Sequence, residues 1–240
     1  MHSAIKENSR QKPRTLLFAF MAFAVVFLGS PATGQTATGQ FVISSRPQSI
    51  GASISELATG KLLIANRHLR DPNFAETVIL LLEYSKDSAM GVVINRPTTV
   101  HLATVLSEME ALKTRTDLVY LGGPVGRNQM LLLARTAQEP ADAKQILDNV
   151  YLVSSQEALQ QLVEHNDAAL NLRAYVGYAG WAPQQLDAEV ARGDWHIYAA
   201  DATVVFDTPA AQLWQKLISR SEFEWTHHFQ NNEHTTYSLY

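Results

Sequence analysis

Cysteine is absent from the 240-residue chain. Its absence rules out disulfides, thiolate metal sites, a thiol nucleophile and a lipid-modified cysteine, so any function rests on oxygen, nitrogen or aromatic groups. Other signatures are missing as well. No Lys-Ser/Thr follows a glycine-rich turn as in a P-loop, no G-x-G-x-x-G offers a dinucleotide site, and no H-E-x-x-H pairs two histidines for zinc. The G-x-S-x-G elbow does not occur, and S-x-x-K does not occur beyond residue 34. Acidic residues are plentiful, yet spacing alone does not set two of them across a glycosidic bond. Beyond residue 34 no stripe of clustered Lys and Arg is available to meet phosphates, which argues against nucleic acid as a partner.

What is present begins with an N-terminal leader. Lys6, Arg10, Lys12 and Arg14 make a basic start, residues 15–28 (TLLFAFMAFAVVFL) are uncharged and apolar, and Gly29-Ser30-Pro31 breaks the run before the small residues Ala32-Thr33-Gly34. This is the three-part pattern of a secretory signal peptide over residues 1–34. The apolar run falls short of the ~20 residues that span a bilayer as a helix. The expectation is therefore export to the periplasm or the extracellular side, with membrane anchoring through residues 15–28 as the alternative if the leader is retained. No Arg-Arg pair precedes the run, so a twin-arginine route is not indicated. Removing four bases and one acid from totals of 19 and 23 leaves 15 against 22, a net charge near −7 where the whole chain carries −4.

Residues 35–59 read as a flexible leader and residues 221–240 as a polar tail. Between them, residues 60–220 carry the periodicity of one folded domain, large enough to bury a core without covalent staples. Apolar runs at residues 61–66, 78–84, 90–95, 118–121, 130–134, 150–153, 173–177, 195–198 and 203–206 predict strands. Residues 85–88 are polar and short, which predicts an antiparallel hairpin. Helices are predicted over residues 100–113, after Ser154 with a capping box to Glu157, over residues 183–192 with Leu186 and Val190 inward, and after Thr208-Pro209 with Leu213, Trp214, Leu217 and Ile218 as the inner stripe. Connections between several strands are too short for helical crossovers. The fold class expected is α+β: a single compact domain, a mixed sheet flanked by about four helices.

Six ordered motifs carry a family resemblance: Ala65-Asn66 through Asp71-Pro72-Asn73-Phe74, Ala89-Met90-Gly91-Val92-Val93-Ile94-Asn95-Arg96-Pro97, Gly122-Gly123-Pro124-Val125, Gly177-Tyr178-Ala179-Gly180-Trp181, Gln185-Leu186-Asp187-Ala188-Glu189 and Phe206-Asp207-Thr208-Pro209. Together they resemble the YqgE/AlgH family of bacterial proteins, over about residues 60–220. The resemblance implies the partly barrel-like part of the fold, a biochemical function that is unassigned, and in one branch the label of a regulator of exopolysaccharide synthesis. It supplies no catalytic residue. Two departures stand out. The export signal is unusual for the family and conflicts with a cytoplasmic regulatory role. The Arg-Gly-Phe and His that many members place after Gly-Gly-Pro are replaced here by Asn128-Gln129-Met130 and the run to Ala134-Arg135.

Polar and aromatic residues at predicted strand ends form the candidate ligand-binding set: Asp71, Asn95, Arg96, Gly122, Gly123, Tyr178 and Trp181. Each has a structural reading beside the functional one. Arg96 offers a fork for a carboxylate or phosphate, or an ion pair with Asp71. The glycine pair presents N–H groups as an anion nest, or makes a turn. The aromatics line a cleft, or fill the core with their polar tips bonded. His227, His228, Glu233 and His234 cluster in the tail without the spacing of an established metal site. No metal, cofactor or catalytic residue is expected. The reading is a non-catalytic binding or interaction module of the cell envelope with an unknown protein or small-molecule partner, against the alternatives of a small-molecule enzyme and of the inherited regulator label.

Overall fold

The structure is a computed structural model that describes residues 54–165 and 169–221. The leader, most of the 35–59 segment, and the histidine-bearing tail lie outside the described residues. Among the described residues ten strands build one sheet: β1 (Lys61–Ala65), β2 (Val78–Tyr84), β3 (Ala89–Val93), β4 (Pro97–His101), β5 (Leu118–Leu121), β6 (Val125–Arg135), β7 (Ala143–Leu147), β8 (Val150–Val153), β9 (Asn171–Trp181) and β10 (Trp195–Ala199). Five helices among the described residues accompany them: α1 (Leu102–Val105), α2 (Gln156–Glu164), α3 (Gln185–Ala191), α4 (Ala202–Phe206) and α5 over residues 210–221.

The main path of the sheet runs β10-β1-β2-β3-β9-β6-β8-β7, with β4 on β5 and β5 on β9. Every pairing is antiparallel except β5 with β9, so the sheet is mixed as expected. The sheet curls until its far end meets its beginning: Lys144 Nζ on β7 donates to the Leu82 carbonyl at 3.0 Å, and a Cβ built on Gly60 would stand 2.7 Å from the Ile146 carbonyl oxygen. That half-barrel shape follows from the twist of long strands and from the register shifts in β2–β3 and β6–β9.

Side chains alternate across β6 and β9, so these two strands feed two cores. Leu133 and Tyr175 join the larger one, with β1–β3 and α3–α5; Leu132, Leu172 and Ala174 join the smaller one, under α1 and α2. Val78 to Leu82 on β2 are all fully buried, which is why that strand reads as an unbroken apolar run.

Three local expectations need correction. Residues 100–113 are not one helix: β4 takes Val100 and His101, α1 lasts one turn, and a 3-10 turn covers Glu110–Leu112. The β-branched Thr98-Thr99-Val100 favour extended backbone, and the Leu102 N–H is tied to the Asp117 carbonyl at 2.8 Å. Leu102, Met109 and Leu112 still share one buried face, which is the periodicity the sequence displays. Residues 203–206 are the helix α4, not a strand, because Asp201 caps them by accepting from the Val204 N–H at 2.8 Å. The cap of α2 is Ser155, which accepts from the Ala158 N–H at 3.0 Å, while Ser154 Oγ donates to the Asp142 carbonyl; no box forms with Glu157. In addition, β7 carries no apolar run and gave no sequence signal; four of its five side chains remain exposed or half-buried.

Candidate functional site

The candidate residues fall into three groups, each held by the chain's own atoms. The first is the turn after β1. Asp71 Oδ1 accepts from the Asn73 N–H at 2.7 Å, and its carbonyl accepts from Phe74 and Ala75, so Asp71 organises a turn and makes no pair with Arg96. Asn95 lies just past β3 and bridges that turn: its Oδ1 accepts from the Val78 N–H and its Nδ2 donates to the Glu76 carbonyl, both at 2.9 Å. Arg96 uses its fork on two backbone carbonyls, Asn73 at 2.7 Å and Ala75 at 3.1 Å. A guanidinium holding two carbonyls in a loop acts as a clamp, and those N–H groups are engaged.

The second group is Gly122, Gly123 and Tyr178. Here two backbone segments touch. A Cβ on Gly122 would come within 2.2 Å of the Gly177 carbonyl oxygen, and one on Gly123 within 2.1 Å of the Tyr178 carbonyl carbon. Val93 N–H bonds the Gly122 carbonyl and Gly122 N–H bonds the Val176 carbonyl, both at 2.9 Å, so the Gly122 N–H is used within the fold. Tyr178 is buried, and that burial pushes its phenol ionisation up.

The third group surrounds Trp181. Its ring stacks on Phe74 (centroids 6.3 Å) and meets Trp195 edge-on (6.3 Å). Glu189 on α3 accepts both indole N–H groups on one oxygen, Trp181 at 2.8 Å and Trp195 at 2.9 Å, while its other oxygen accepts from Gln185 at 3.0 Å. Asp187 accepts from the Tyr84 hydroxyl at 2.9 Å. The Gln185–Glu189 run is thus the docking key of α3: one face is Leu186, and its polar residues meet Trp181, Trp195 and Tyr84. Phe74 links this group to the first, because it belongs to the turn that Asn95 and Arg96 hold.

Sequence reasoning missed a different cluster. Arg173 on β9 is 9% exposed and lies over Tyr120 (4.7 Å to the ring centre) and Phe206 (5.6 Å). It donates to the Phe206 carbonyl at 3.0 Å and more distantly to Ile94 at 3.4 Å. Arg135 also lies over Phe206, at 5.1 Å, and forks onto Asp207 with two bonds of 2.8 Å. That fork holds the Asp207 carboxyl below its ordinary range and raises the Arg135 guanidinium. Tyr175, fully buried in register with Tyr120, lies beside Arg173, and its hydroxyl makes no close hydrogen bond among the described residues; burial drives its ionisation far up, against the pull of the nearby Arg173 cation. The available signal was one charge inside an apolar strand, Leu172-Arg173-Ala174-Tyr175.

A surface cleft of about 370 Å³ lies elsewhere, between residues 136–141 and the outer side of α2 with Gln161 and His165. None of the candidate residues lines it. Among the described residues no three metal-ligating side chains gather, and no helix is long and apolar enough to cross a membrane.

Residues 62–226 match the DUF179 family model, described as AlgH-like. A UPF0301 protein of Nitrosococcus oceani is 35% identical over 157 residues, covering 64% of this chain and 83% of the relative. One from Streptomyces avermitilis is 31% identical over 172 residues, covering 69% and 88%. Among solved structures, the solution structure of the AlgH protein from Pseudomonas aeruginosa matches with a TM-score of 0.56 at 30% identity, and a crystal structure from Corynebacterium diphtheriae with 0.58 at 26%; each match covers 68% of this chain and 87% of the other. With the six motifs and the curled sheet, these matches establish that the chain belongs to the AlgH-like family, also called UPF0301 or YqgE/AlgH.

Proposed function

We propose that the chain is a non-catalytic interaction module that works in the cell envelope after export by its N-terminal leader. The supporting observation is the commitment of the strand-end polar groups to the fold's own backbone: Asn95 and Arg96 hold the turn at residues 73–78, and the Gly122 N–H bonds Val176. Side chains so engaged are architecture, and recognition then falls to the surface. The large apolar side chains exposed among the described residues, Val100, Leu121 and Val125, come from the consecutive strands β4, β5 and β6. The edge strand β4 suits side-chain recognition better than strand addition. Pro97 opens it, a register shift bends it, and the Val100 N–H is turned to Thr98 Oγ1 at 3.0 Å. A small-molecule enzyme with its cleft at the strand ends draws less support from the same bonds.

The test measures unfolding midpoints of the purified chain against a panel of envelope proteins. A partner should raise the midpoint, and Leu121→Lys should abolish that rise while leaving the free chain's midpoint unchanged. A panel that never moves the midpoint counts against the module. Export is tested separately by joining residues 1–40 to a reporter enzyme active only outside the cytoplasm. An inactive reporter removes the envelope from the proposal and reopens the regulator label.

A further inference from the structure

The loop that walls the cleft beside α2 is pinned at both ends. It leaves β6 at Thr136, whose N–H donates to the Asn149 carbonyl at 3.0 Å and whose Oγ1 accepts from the Gln138 N–H at 3.2 Å. At its far end the Asp142 carbonyl accepts from Ser154 Oγ. So held, the loop stands off the helix and leaves a cleft of about 370 Å³. That size falls in the range of about 300–1,000 Å³ typical of small-molecule sites. Pro140, Leu162 and Leu170 supply apolar lining. Three polar side chains that line it have capacity to spare. Thr136 is 4% exposed, and its hydroxyl proton has no acceptor among the described residues. A buried hydroxyl that accepts without donating has one bond left to make. His165 Nδ1 lies 2.8 Å from the Gln161 carbonyl oxygen. A carbonyl only accepts, so Nδ1 carries the proton and Nε2 of the neutral ring offers a lone pair. Glu139 joins no ion pair among the described residues.

We infer that this cleft binds a small hydroxylated amine, with its ammonium on Glu139, a hydroxyl donating to His165 Nε2 and an oxygen accepting from the Thr136 hydroxyl. Charge selects the ammonium. Between residues 136 and 165 the chain carries the acids Glu139, Asp142, Asp148, Glu157 and Glu164 against the single base Lys144. Lys144 Nζ is spent on the Leu82 carbonyl, where the sheet curls onto its beginning. A cleft in such a field draws cations and repels anions, and an ammonium on a carboxylate makes a charge-assisted hydrogen bond. Thr136 selects the oxygen. An ammonium has donors only, so a plain alkylamine, or a lysine side chain from a partner protein, leaves the Thr136 proton unanswered. The carbon skeleton of the ligand lies against Leu162, Leu170 and Pro140. The inference stands apart from the protein-binding reading: its residues lie on the loop after β6 and on α2, away from Val100, Leu121 and Val125, and either can fail alone.

The experiment titrates glucosamine into the full chain in phosphate buffer at pH 7, with glucose at equal ionic strength as the comparison, and follows backbone amide and imidazole NMR signals. Glucosamine should move the signals of Thr136, Glu139 and His165 saturably at millimolar concentration. Glucose, with a hydroxyl in place of the ammonium, should bind about tenfold more weakly, the scale of one hydrogen bond to a charged group. Glu139→Gln, a change on an exposed loop residue, should erase the preference for glucosamine over glucose. Thr136→Val should weaken both sugars alike, and Thr136→Ser, which keeps the hydroxyl, should restore them. If the valine variant does not fold, Glu139→Gln decides alone. Leu121→Lys should leave glucosamine binding unchanged. If glucosamine moves no signal saturably, or moves signals away from residues 136–141 and α2, the site does not exist. Equal binding of the two sugars, or full glucosamine affinity in folded Glu139→Gln, overturns the amine assignment.

Discussion

Gly123 and Tyr178 are pressed together backbone to backbone. A Cβ at Gly123 would stand 2.1 Å from the Tyr178 carbonyl carbon, 2.3 Å from its oxygen and 2.5 Å from the Ala179 nitrogen. Backbone atoms inside a paired strand cannot step aside as a flexible side chain can. Gly123→Ala should therefore cost at least the upper part of the usual overpacking range of about 1–3 kcal/mol. Urea unfolding measures it. An alanine variant within a few tenths of a kcal/mol of the parent would show that the two segments are not in contact.

Asn95 and Arg96 differ in what they hold. Removing the Asn95 side chain leaves the buried Val78 N–H without an acceptor, which costs about 1–3 kcal/mol. Arg96→Ala frees carbonyls at an exposed turn that water can satisfy, so its cost should stay near 1 kcal/mol or below. Both variants should speed proteolysis around residues 71–77. If either variant instead lost ligand binding with stability and proteolysis unchanged, Asn95 and Arg96 would be binding residues and not clamps.

Much of this was legible in the sequence. Unbroken apolar runs marked β1–β3 and β8 because those strands are buried nearly throughout, and the polar Ser85–Ser88 link marked the hairpin. The stripe of Leu213, Trp214, Leu217 and Ile218 marked α5 because its burial follows helical period. What sequence could not separate was decided by contacts distant in the chain. A run such as Thr203-Val204-Val205-Phe206 suits strand or helix alike, and the Asp201 cap settles it. The strand-end residues were recognisable as a set, since turns and close approaches demand particular residue types. Their occupations were not, because Arg96 as a loop clamp and Arg96 as an anion fork require the same residue. Arg173 escaped notice because periodicity marks a charged residue in a strand as outward-facing, whereas two aromatic rings and a helix end fold over this one.

Glu189 is expected to be the most sensitive residue of α3. Its carboxylate serves two indoles that are buried at 5% and 2% exposure, so Glu189→Ala leaves two donors unsatisfied at once. The loss should fall within about 2–6 kcal/mol, roughly twice that of one orphaned donor. Glu189→Gln keeps an acceptor oxygen and should recover part of it. Tryptophan fluorescence reports the site directly, because both rings sit on that oxygen. Equal losses for Ala and Gln would mean that charge, not the acceptor, is what the indoles require.

The two serines before α2 give a test with an internal control. Ser155→Ala removes the acceptor of the Ala158 N–H and should cost about 1 kcal/mol. Ser154→Ala removes only a link to the Asp142 carbonyl and should leave the helicity of α2 unchanged. Amide exchange at Glu157 and Ala158 separates the two. Faster exchange in the Ser154 variant alone would restore the capping box with Glu157.

Tyr175 should contribute to the alkaline limb of stability, beside Tyr84 and Tyr178, whose phenols are also raised. Its phenol stays protonated in the folded chain well above the ordinary value near 10, because desolvation outweighs the attraction of Arg173. Below about pH 10 both folded and unfolded chains carry the neutral phenol, and its contribution is constant. Above that pH the unfolded chain releases the proton while the folded chain keeps it, so the unfolded state binds fewer protons and stability falls with rising pH. Tyr175→Phe removes this response. At pH 7 it should be neutral or slightly stabilising, since the hydroxyl it deletes makes no close hydrogen bond among the described residues. From pH 10 to 11 the phenylalanine chain should pull progressively ahead in urea midpoint. Parallel midpoints across that range would mean that the hydroxyl ionises in the folded state, and would place Tyr175 in contact with solvent.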